Sequence, residues 1–356
     1  MHIITIDQLT INHAGRLIFE GLNWAIGDRD RIGLVGPNGA GKSSLLKAII
    51  GEVTPDFGTI HFIGPVTIGY LAQQIELPLG QTLLNTALEP PPQLAAVETQ
   101  LARYEAQLSD PAIYSDEKKL ARVLAQQEAA LIEYDRLGGP RHESQVRGIL
   151  AHLGFTEADY DLPTDTLSGG QKKLVVLTRL AAAGPAVLLM DEPDNHLDLD
   201  AKQRLESFIK GYPGAVVIVS HDRYLLDESV THIAELEDGK LTSYVGNYTA
   251  YATERELRRL KQQQMYVAQQ KRIQQIEAAI HEWEMKARAD LNERHARQAH
   301  SRRRMLERME ENGDMIEKVV DRRLMEAQFD GWQAAPKRWK SSIWRWASRM
   351  ICCSWA

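Results

Sequence analysis

The chain has 356 residues, 44% hydrophobic and 25% charged, with a formal net charge of −6 at neutral pH, which is a globular composition with room for one large domain or two modest ones. No apolar run reaches the roughly 18 residues a membrane-spanning helix needs, and two adjacent cysteines, Cys352 and Cys353, exclude a disulfide framework. Charge is uneven, net −13 over residues 1–252, +3 over 253–326 and +4 over 327–356, as expected of regions with different partners.

The opening MHIITIDQLTI alternates like a strand. It has neither the basic start nor the small-residue cleavage site of a signal peptide, so the expected compartment is the cytoplasm. From Arg31 comes RIGLVGPNGAGKSSLLKAIIG: an apolar strand over 32–35, a loop, and an amphipathic helix. Gly36, Pro37, Asn38, Gly39, Ala40, Gly41, Lys42, Ser43 and Ser44 follow the phosphate-loop spacing in its required strand–loop–helix context. Gly39 and Gly41 let successive backbone N–H groups face a phosphate chain, and the helix N-terminus adds its positive end. Lys42 is expected to reach the β/γ-phosphates of ATP, and the Ser43 hydroxyl to ligate Mg²⁺. Residues 88–140, rich in Ala, Gln, Glu and Lys, predict two amphipathic helices between Pro90-Pro91-Pro92 and Gly138-Gly139-Pro140.

Further on, TLSGGQKKL places Ser168, Gly169 and Gly170 before a helix expected to start at Gln171, a second anion site at a helix N-terminus. The run AVLLMDEP reads as a buried parallel strand ending in Asp191 and Glu192. Asp191 is placed to hold Mg²⁺ and Glu192 to polarise an attacking water. A last apolar strand, 215–219, leads to His221.

Together these motifs resemble the ATP-binding-cassette superfamily. Leu167 to Gln171 matches its signature, so the resemblance makes Ser168, Gly169, Gly170 and Gln171 the signature residues. It makes Gln73 the Q-loop glutamine that senses Mg²⁺ and the nucleophilic water, with Gln74 the rival. It makes His221 the switch histidine at the γ-phosphate, so that Glu192, His221 and Gln73 are the catalytic candidates and Ser43, Asp191 and Gln73 the Mg²⁺ candidates. Leu197-Asp198 resembles the D-loop. Asp194 stands where Thr is commoner in the family pattern; little effect on the chemistry is expected, beyond an extra carboxylate beside Glu192 able to raise a neighbouring pKa. His13 occupies the slot where many cassettes stack an aromatic on adenine.

Within the superfamily, YVGNYTAY followed by a long charged helical segment resembles the ABC-F class: soluble cytoplasmic proteins with two cassettes joined by a helical linker, many acting on the ribosome. The implied fold class is α/β, a P-loop NTPase cassette over 1–246 with a helical arm insertion at 88–140 and a signature-containing helical subdomain over about 141–185. An α-helical hairpin linker over 247–326 and an atypical tail over 327–356 follow. The resemblance covers residues 1 to about 326.

Residues 254–326 contain no proline and only Gly313, with Ile273, Ile276, Ile280 and Trp283, then Met305, Leu306 and Met309, at helical spacing. These predict two antiparallel helices turning near 286–297. Arg294, Arg297, Arg302, Arg303, Arg304 and Arg308 crowd 15 residues. On their own they read as a solvated helix face laced with ion pairs. In ABC-F proteins the equivalent linker reaches toward tRNA, so the resemblance makes Arg294, Arg297, Arg302, Arg303 and Arg304 RNA-contact candidates and the ribosome, through rRNA and tRNA, the implied partner. His295 and His300 lack metal-ligand spacing.

Two other classes share the cassette motifs. The nucleotide-binding subunit of a membrane transporter would stop soon after residues 236–241 or add a regulatory β-domain. A DNA-repair ATPase would need a much longer coiled coil. No membrane span and no transmembrane partner are therefore expected. Cassette ATPases sandwich ATP between the phosphate loop of one cassette and the signature of another. With one of each, this chain is expected to need a second cassette, in trans or in cis, for full ATPase activity. Its last 25 residues hold five of seven Trp and both Cys. Read one base back, every Trp and Cys codon beyond Trp332 yields Leu, Met or Val, and the segment can be read to align without a gap with residues 4–21. The tail is expected to be disordered, or the out-of-frame start of a second cassette.

Overall fold

A computed structural model describes residues 1–13, 15–290 and 293–311. The chain divides into two compact units, Met1–Thr253 and Glu254–Ala356.

The first unit is built on two sheets. Strands β1 (His2–His13), β2 (Arg16–Gly27) and β4 (Phe57–Phe62) form an antiparallel sheet in the order β2-β1-β4. Strands β3 (Arg31–Val35), β5 (Ile68–Leu71), β6 (Val187–Asp191), β7 (Ala215–Val219), β8 (His232–Glu237) and β9 (Lys240–Val245) form the second, in the order β5-β6-β7-β3-β8-β9. All its neighbours run parallel except β9, which returns antiparallel on β8.

The unbroken apolar runs of β6 and β7 follow from burial on both faces. Val187 and Leu189 of β6 enter one core with Ala215, Val217 and Val219 of β7, while Leu188 and Met190 enter the other with Val216 and Ile218. Helix α1 (Lys42–Ile49) lies in the first of these cores, where Leu45, Leu46 and Ile49 join Ile4, Ile6 and Ile26 of the antiparallel sheet. The other face is covered by helices.

Those helices come after β5. Helix α2 (Leu83–Ala87) precedes α3 (Pro92–Leu108), α4 (Pro111–Tyr114) and α5 (Glu117–Arg136), with α3 packed on α5. Gly138, left-handed at φ 78, opens α6 (Gly139–His152) with Pro140 in its first turn, so the Gly-Gly-Pro stretch starts a helix as well as ending one. Next come α7 (Gly169–Ala182), α8 (Leu199–Gly211) and α9 (Arg223–Ser229). Val146 and Leu150 of α6 and Val175 and Leu177 of α7 supply this second core.

Helix α10 (Tyr248–Asp290) begins in the first unit. Glu235 of β8 is buried, and accepts hydrogen bonds from Tyr244 Oη of β9 at 3.1 Å and Tyr251 Oη of α10 at 2.7 Å. A buried carboxylate needs such donors, so the aromatic residues of GNYTAY pin the helix start to the sheet.

In the second unit, α11 (Glu293–Glu311) runs back along the end of α10. Arg303 pairs with Glu284 at 2.6 Å, and the Trp283 ring lies 5.8 Å from the Arg302 guanidinium and 5.0 Å from Lys286 Nζ. Among the described residues no helix is long and apolar enough to cross a membrane. The tail over 327–356 lies outside the described residues.

Candidate active site

The functional side chains gather at the C-terminal ends of β3, β6 and β7, the edge where parallel sheets bind ligands. The loop from Gly36 to Gly41 leaves β3 and enters α1. Its glycines are required for different reasons. A Cβ on Gly36 would overlap the Leu236 carbonyl of β8. Gly41 caps α1 in the left-handed region at φ 98, and a Cβ there would overlap Ile18 Cγ2. Gly39, at φ 77, faces open space at the exposed loop tip beside Asn38. Pro37 and Ala40 close the loop, with Ala40 N–H donating to Pro37 O at 3.2 Å. Lys42 is buried, and its Nζ donates to Gly36 O at 2.9 Å and Pro37 O at 3.0 Å. Burial lowers its pKa, against the charges of Glu192 and Asp191. Ser44 follows on the first turn of α1, partly buried.

Ser43 lies close enough to Asp191 for its hydroxyl to favour the ionised carboxylate. Asp191 is 2% exposed. Desolvation raises its pKa, the Ser43 hydrogen bond opposes that, and the Glu192 charge adds to it. The sign follows. A carboxyl raised above its unfolded value of 3.8 contributes stability below that pH and loses it as pH climbs through the folded value. At neutral pH ionised Asp191 therefore costs the nucleotide-free fold. Asp191→Asn is expected to raise the melting temperature in EDTA at pH 7, with the gain shrinking toward pH 4, while Mg²⁺-dependent nucleotide affinity falls. Thermal scans across pH check this.

Glu192 is the hub. Its backbone sits at φ 51, a left-handed conformation a non-glycine residue keeps only where its surroundings fix it. Its N–H donates to Val219 O at 2.8 Å and its carbonyl accepts from Lys173 Nζ at 2.6 Å. Oε2 accepts from Gln73 Nε2 at 2.7 Å and from Asn195 Nδ2, and Oε1 lies 3.8 Å from His221 Nε2. Of the two glutamines in GYLAQQ, the first is therefore the one joined to Glu192. Lys173 and Asn195 were missed by sequence reasoning. The only signal was their proximity to the signature and to the DEP run.

The signature helix starts two residues earlier than the sequence suggested. Ser168 is the N-cap: its Oγ accepts from Gln171 N–H at 3.2 Å, while Gln171 Oε1 accepts from Ser168 N–H at 2.9 Å. This reciprocal pair makes Gly169 and Gly170 the first turn. Gly170 is packed tightly, since a Cβ there would lie 2.5 Å from His196 O.

Asp194 acts to raise neighbouring pKa values, as the sequence suggested, but at lysines rather than at Asp191. The raised pKa of Asp191 comes from desolvation first and Glu192 among the charges, whereas the Asp194 charge favours the ammonium forms of Lys173 and Lys202. The side chain of His13 lies outside the described residues. In the second unit, Arg302 and Arg303 are engaged with Trp283 and Glu284, and Arg294, Arg297 and Arg304 are exposed. His300 is exposed too, and the side chain of His295 lies outside the described residues. Among the described residues no group of three His, Cys, Asp or Glu could hold a metal ion.

Residues 19–195 match the family model described as ABC transporter, and residues 234–347 match a second model, for an extension of that family, described in the same words. The chain belongs to the ATP-binding-cassette family. The cassette, the extension and the relatives place it with the ABC-F kind of ATP-binding-cassette proteins. It is 35% identical to the Bacillus subtilis (strain 168) ATP-binding protein YdiF over 87% of this chain and 47% of that one. With the Escherichia coli (strain K12) ATP-binding protein YheS it shares 31% over 86% and 45%. With the tylosin resistance ATP-binding protein TlrC of Streptomyces fradiae it shares 31% over 74% and 47%. The chain spans about half the length of the curated relatives it matches. In fold, the cassette is similar to a solved ATP-binding subunit of an ABC transporter, with a TM-score of 0.51 at 17% identity over 68% of this chain and 90% of that one. A nucleotide-free cassette from an ABC transporter gives 0.50 at 19% over 69% and 92%.

Proposed function

We propose that this cassette binds Mg-ATP through Gly36 to Ser44 and hydrolyses it with Glu192 as the group that receives the proton of the attacking water. One observation carries the reading: a single carboxylate, Glu192, joins Gln73, Asn195 and His221 beside the Ser43–Asp191 pair. Lys42 offers its ammonium to the β/γ-phosphates. Gln73 and Asn195 hold Oε2, which leaves Oε1 facing His221 to take the proton as water attacks the γ-phosphorus. His221 is set to hold the γ-phosphate. Ser43 and Asp191 supply hard oxygen donors of the kind that hold Mg²⁺ beside phosphate oxygens. Held by Ser43 and Asp191, Mg²⁺ would supply positive charge that offsets the negative charge of the phosphates. Ser168 to Gln171 caps the nucleotide of a second cassette, so full activity takes two cassettes.

The site of action is the ribosome, in the cytoplasm, with Arg294, Arg297, Arg302, Arg303 and Arg304 directed at RNA phosphates. The ABC-F kinship and the crowding of Arg on α11 support this. Purified chain is expected to co-sediment with ribosomes in a non-hydrolysable ATP analogue and to lose much of that binding as salt rises. Failure to co-sediment with or without nucleotide overturns the ribosome reading.

A further inference from the structure

Glu192 and His221 follow the C-terminal ends of β6 and β7, neighbours that pair in parallel with Asp191 opposite Val219. The His221 side chain is 57% exposed, so the direction of its ring depends on the backbone on either side. That backbone is held through Asp222. Its N–H donates to Ser220 Oγ at 2.9 Å, and its Oδ1 caps α9 by accepting from Tyr224 N–H at 3.0 Å and Leu225 N–H at 3.3 Å. The other carboxylate oxygen, Oδ2, accepts from Lys202 Nζ at 2.6 Å. Lys202 belongs to α8, the helix entered after Glu192. It lies in the first turn, where its N–H donates to Asp198 O at 3.0 Å and Asp198 Oδ1 accepts from Ala201 N–H at 2.8 Å. The ion pair therefore joins the chain leaving Glu192 to the chain leaving His221, beyond the point where strand pairing has joined them already. Its side chains are 32% and 21% exposed, so solvent screens it less than a fully exposed pair. A second pair, Lys210 with Glu228 at 3.0 Å, joins the far ends of the same two helices.

We propose that Lys202 is a positioning residue, whose ion pair with Asp222 sets the His221 turn against Glu192. This assignment rests on the reading of Glu192 and His221 given above. His221 Nε2 stands 3.8 Å from Glu192 Oε1, and the two must meet one γ-phosphate and one water together. Strand pairing fixes where β7 ends, and the Asp222 cap makes the turn from Ser220 to Asp222 move with α9. Toward its far end α9 is anchored by Leu226 in the core, by the Lys210–Glu228 pair, and by Asp227, which accepts from Thr249 N–H and Thr249 Oγ1 at 2.7 Å each. Lys202 acts instead at the end that carries His221. A charge-assisted hydrogen bond there favours one orientation of the turn. Without the ammonium, Asp222 Oδ2 is left to water, which can satisfy it in several orientations. The bond shifts the aligned population by no more than its own free energy, so its effect on rate is bounded. The phosphate loop, on other elements, keeps its geometry.

The test is single-turnover ATP hydrolysis by the full chain at high protein concentration, with Mg-ATP affinity and melting temperature measured on the same samples. Lys202→Met keeps an apolar stem and removes the charge; Lys202→Gln, also uncharged, replaces it if it does not fold. The change is expected to slow hydrolysis roughly 5- to 30-fold with affinity changed less than about twofold, the split expected when only transition-state alignment is lost. Lys202→Arg, which can still pair with a carboxylate, is expected to recover the rate to within about threefold of wild type. Lys210→Met cuts the other ion pair between α8 and α9 and is expected to leave the rate unchanged. In a His221→Ala background, Lys202→Met is expected to slow hydrolysis no further, because it acts through His221. A wild-type rate in Lys202→Met, no recovery in Lys202→Arg, an equal loss in Lys210→Met, or an undiminished loss behind His221→Ala overturns the assignment. If His221→Ala has no rate above Glu192→Gln, the first three outcomes decide. A wild type no faster than Glu192→Gln instead overturns the functional reading, and the role of Lys202 with it.

Discussion

Glu192→Gln is expected to slow ATP hydrolysis about 10²- to 10⁴-fold, the range for losing a positioned general base, while Mg-ATP affinity holds or improves. The amide keeps the size of the carboxylate and one oxygen to accept from Gln73 and Asn195, so the wall of the site stands. It cannot take a proton from water. It also removes a negative charge beside Asp191, where both charges oppose the incoming phosphates. Single-turnover rates and fluorescent-nucleotide binding on the same preparation separate the two effects. A variant that loses ATP instead of turnover would move Glu192 from the chemistry to nucleotide binding.

The second large effect is expected at Gly41→Ala. Its left-handed backbone at φ 98 costs a side-chain-bearing residue about 1–2 kcal/mol. The added methyl also overlaps Ile18 Cγ2 and lies 3.3 Å from Phe19 Cε1, in a packed part of the core. Overpacking of this kind typically costs about 1–3 kcal/mol. For a unit this size each kcal/mol moves the melting temperature by about 2–4 °C, so a fall of roughly 5–15 °C is expected, with ATP affinity lost as well. Gly39→Ala is the comparison. It has a similar φ of 77 but nothing within 4 Å, so only the backbone cost applies and the fall is smaller. Equal losses at both positions would contradict the steric account.

The phosphate loop was legible because its constraint is local. Strand, glycines, Lys42 and Ser43 are contiguous, and the physics that orders them acts within ten residues. The DEP run was legible for a related reason, since a strand buried on both faces writes itself as an apolar block. What joins these pieces was not legible. Lys173 reaches the Glu192 carbonyl from another element, and Gln73 reaches the Glu192 carboxylate across 119 residues. Nothing in either local sequence marks the partner. The start of α7 was misplaced because two glycines read as loop, whereas the reciprocal Ser168–Gln171 cap draws them into the first turn. For Asp194 the direction was legible and the partner was not: its charge acts to raise the pKa of two lysines, Lys173 and Lys202, that nothing in the DEP run marks.

The glycine at 170 shows how the two halves of the cassette motif depend on each other. It is needed because the backbone after Glu192 passes close by: His196, itself left-handed at φ 68, places its carbonyl against it. Signature and acidic strand are thus locked together within the first unit, and the Lys173 contact lies one turn further along the same helix. A signature held this way is available to a nucleotide on another cassette, which is why turnover is expected to depend on pairing.

The most direct measurement is ATP turnover per chain as protein concentration rises from the nanomolar to the high micromolar range, with Glu192→Gln as the blank. Almost none is expected at the dilute end, with a rise as cassettes pair at higher concentration and none above blank in the variant. Rapid turnover at nanomolar protein, unchanged by concentration, would contradict it.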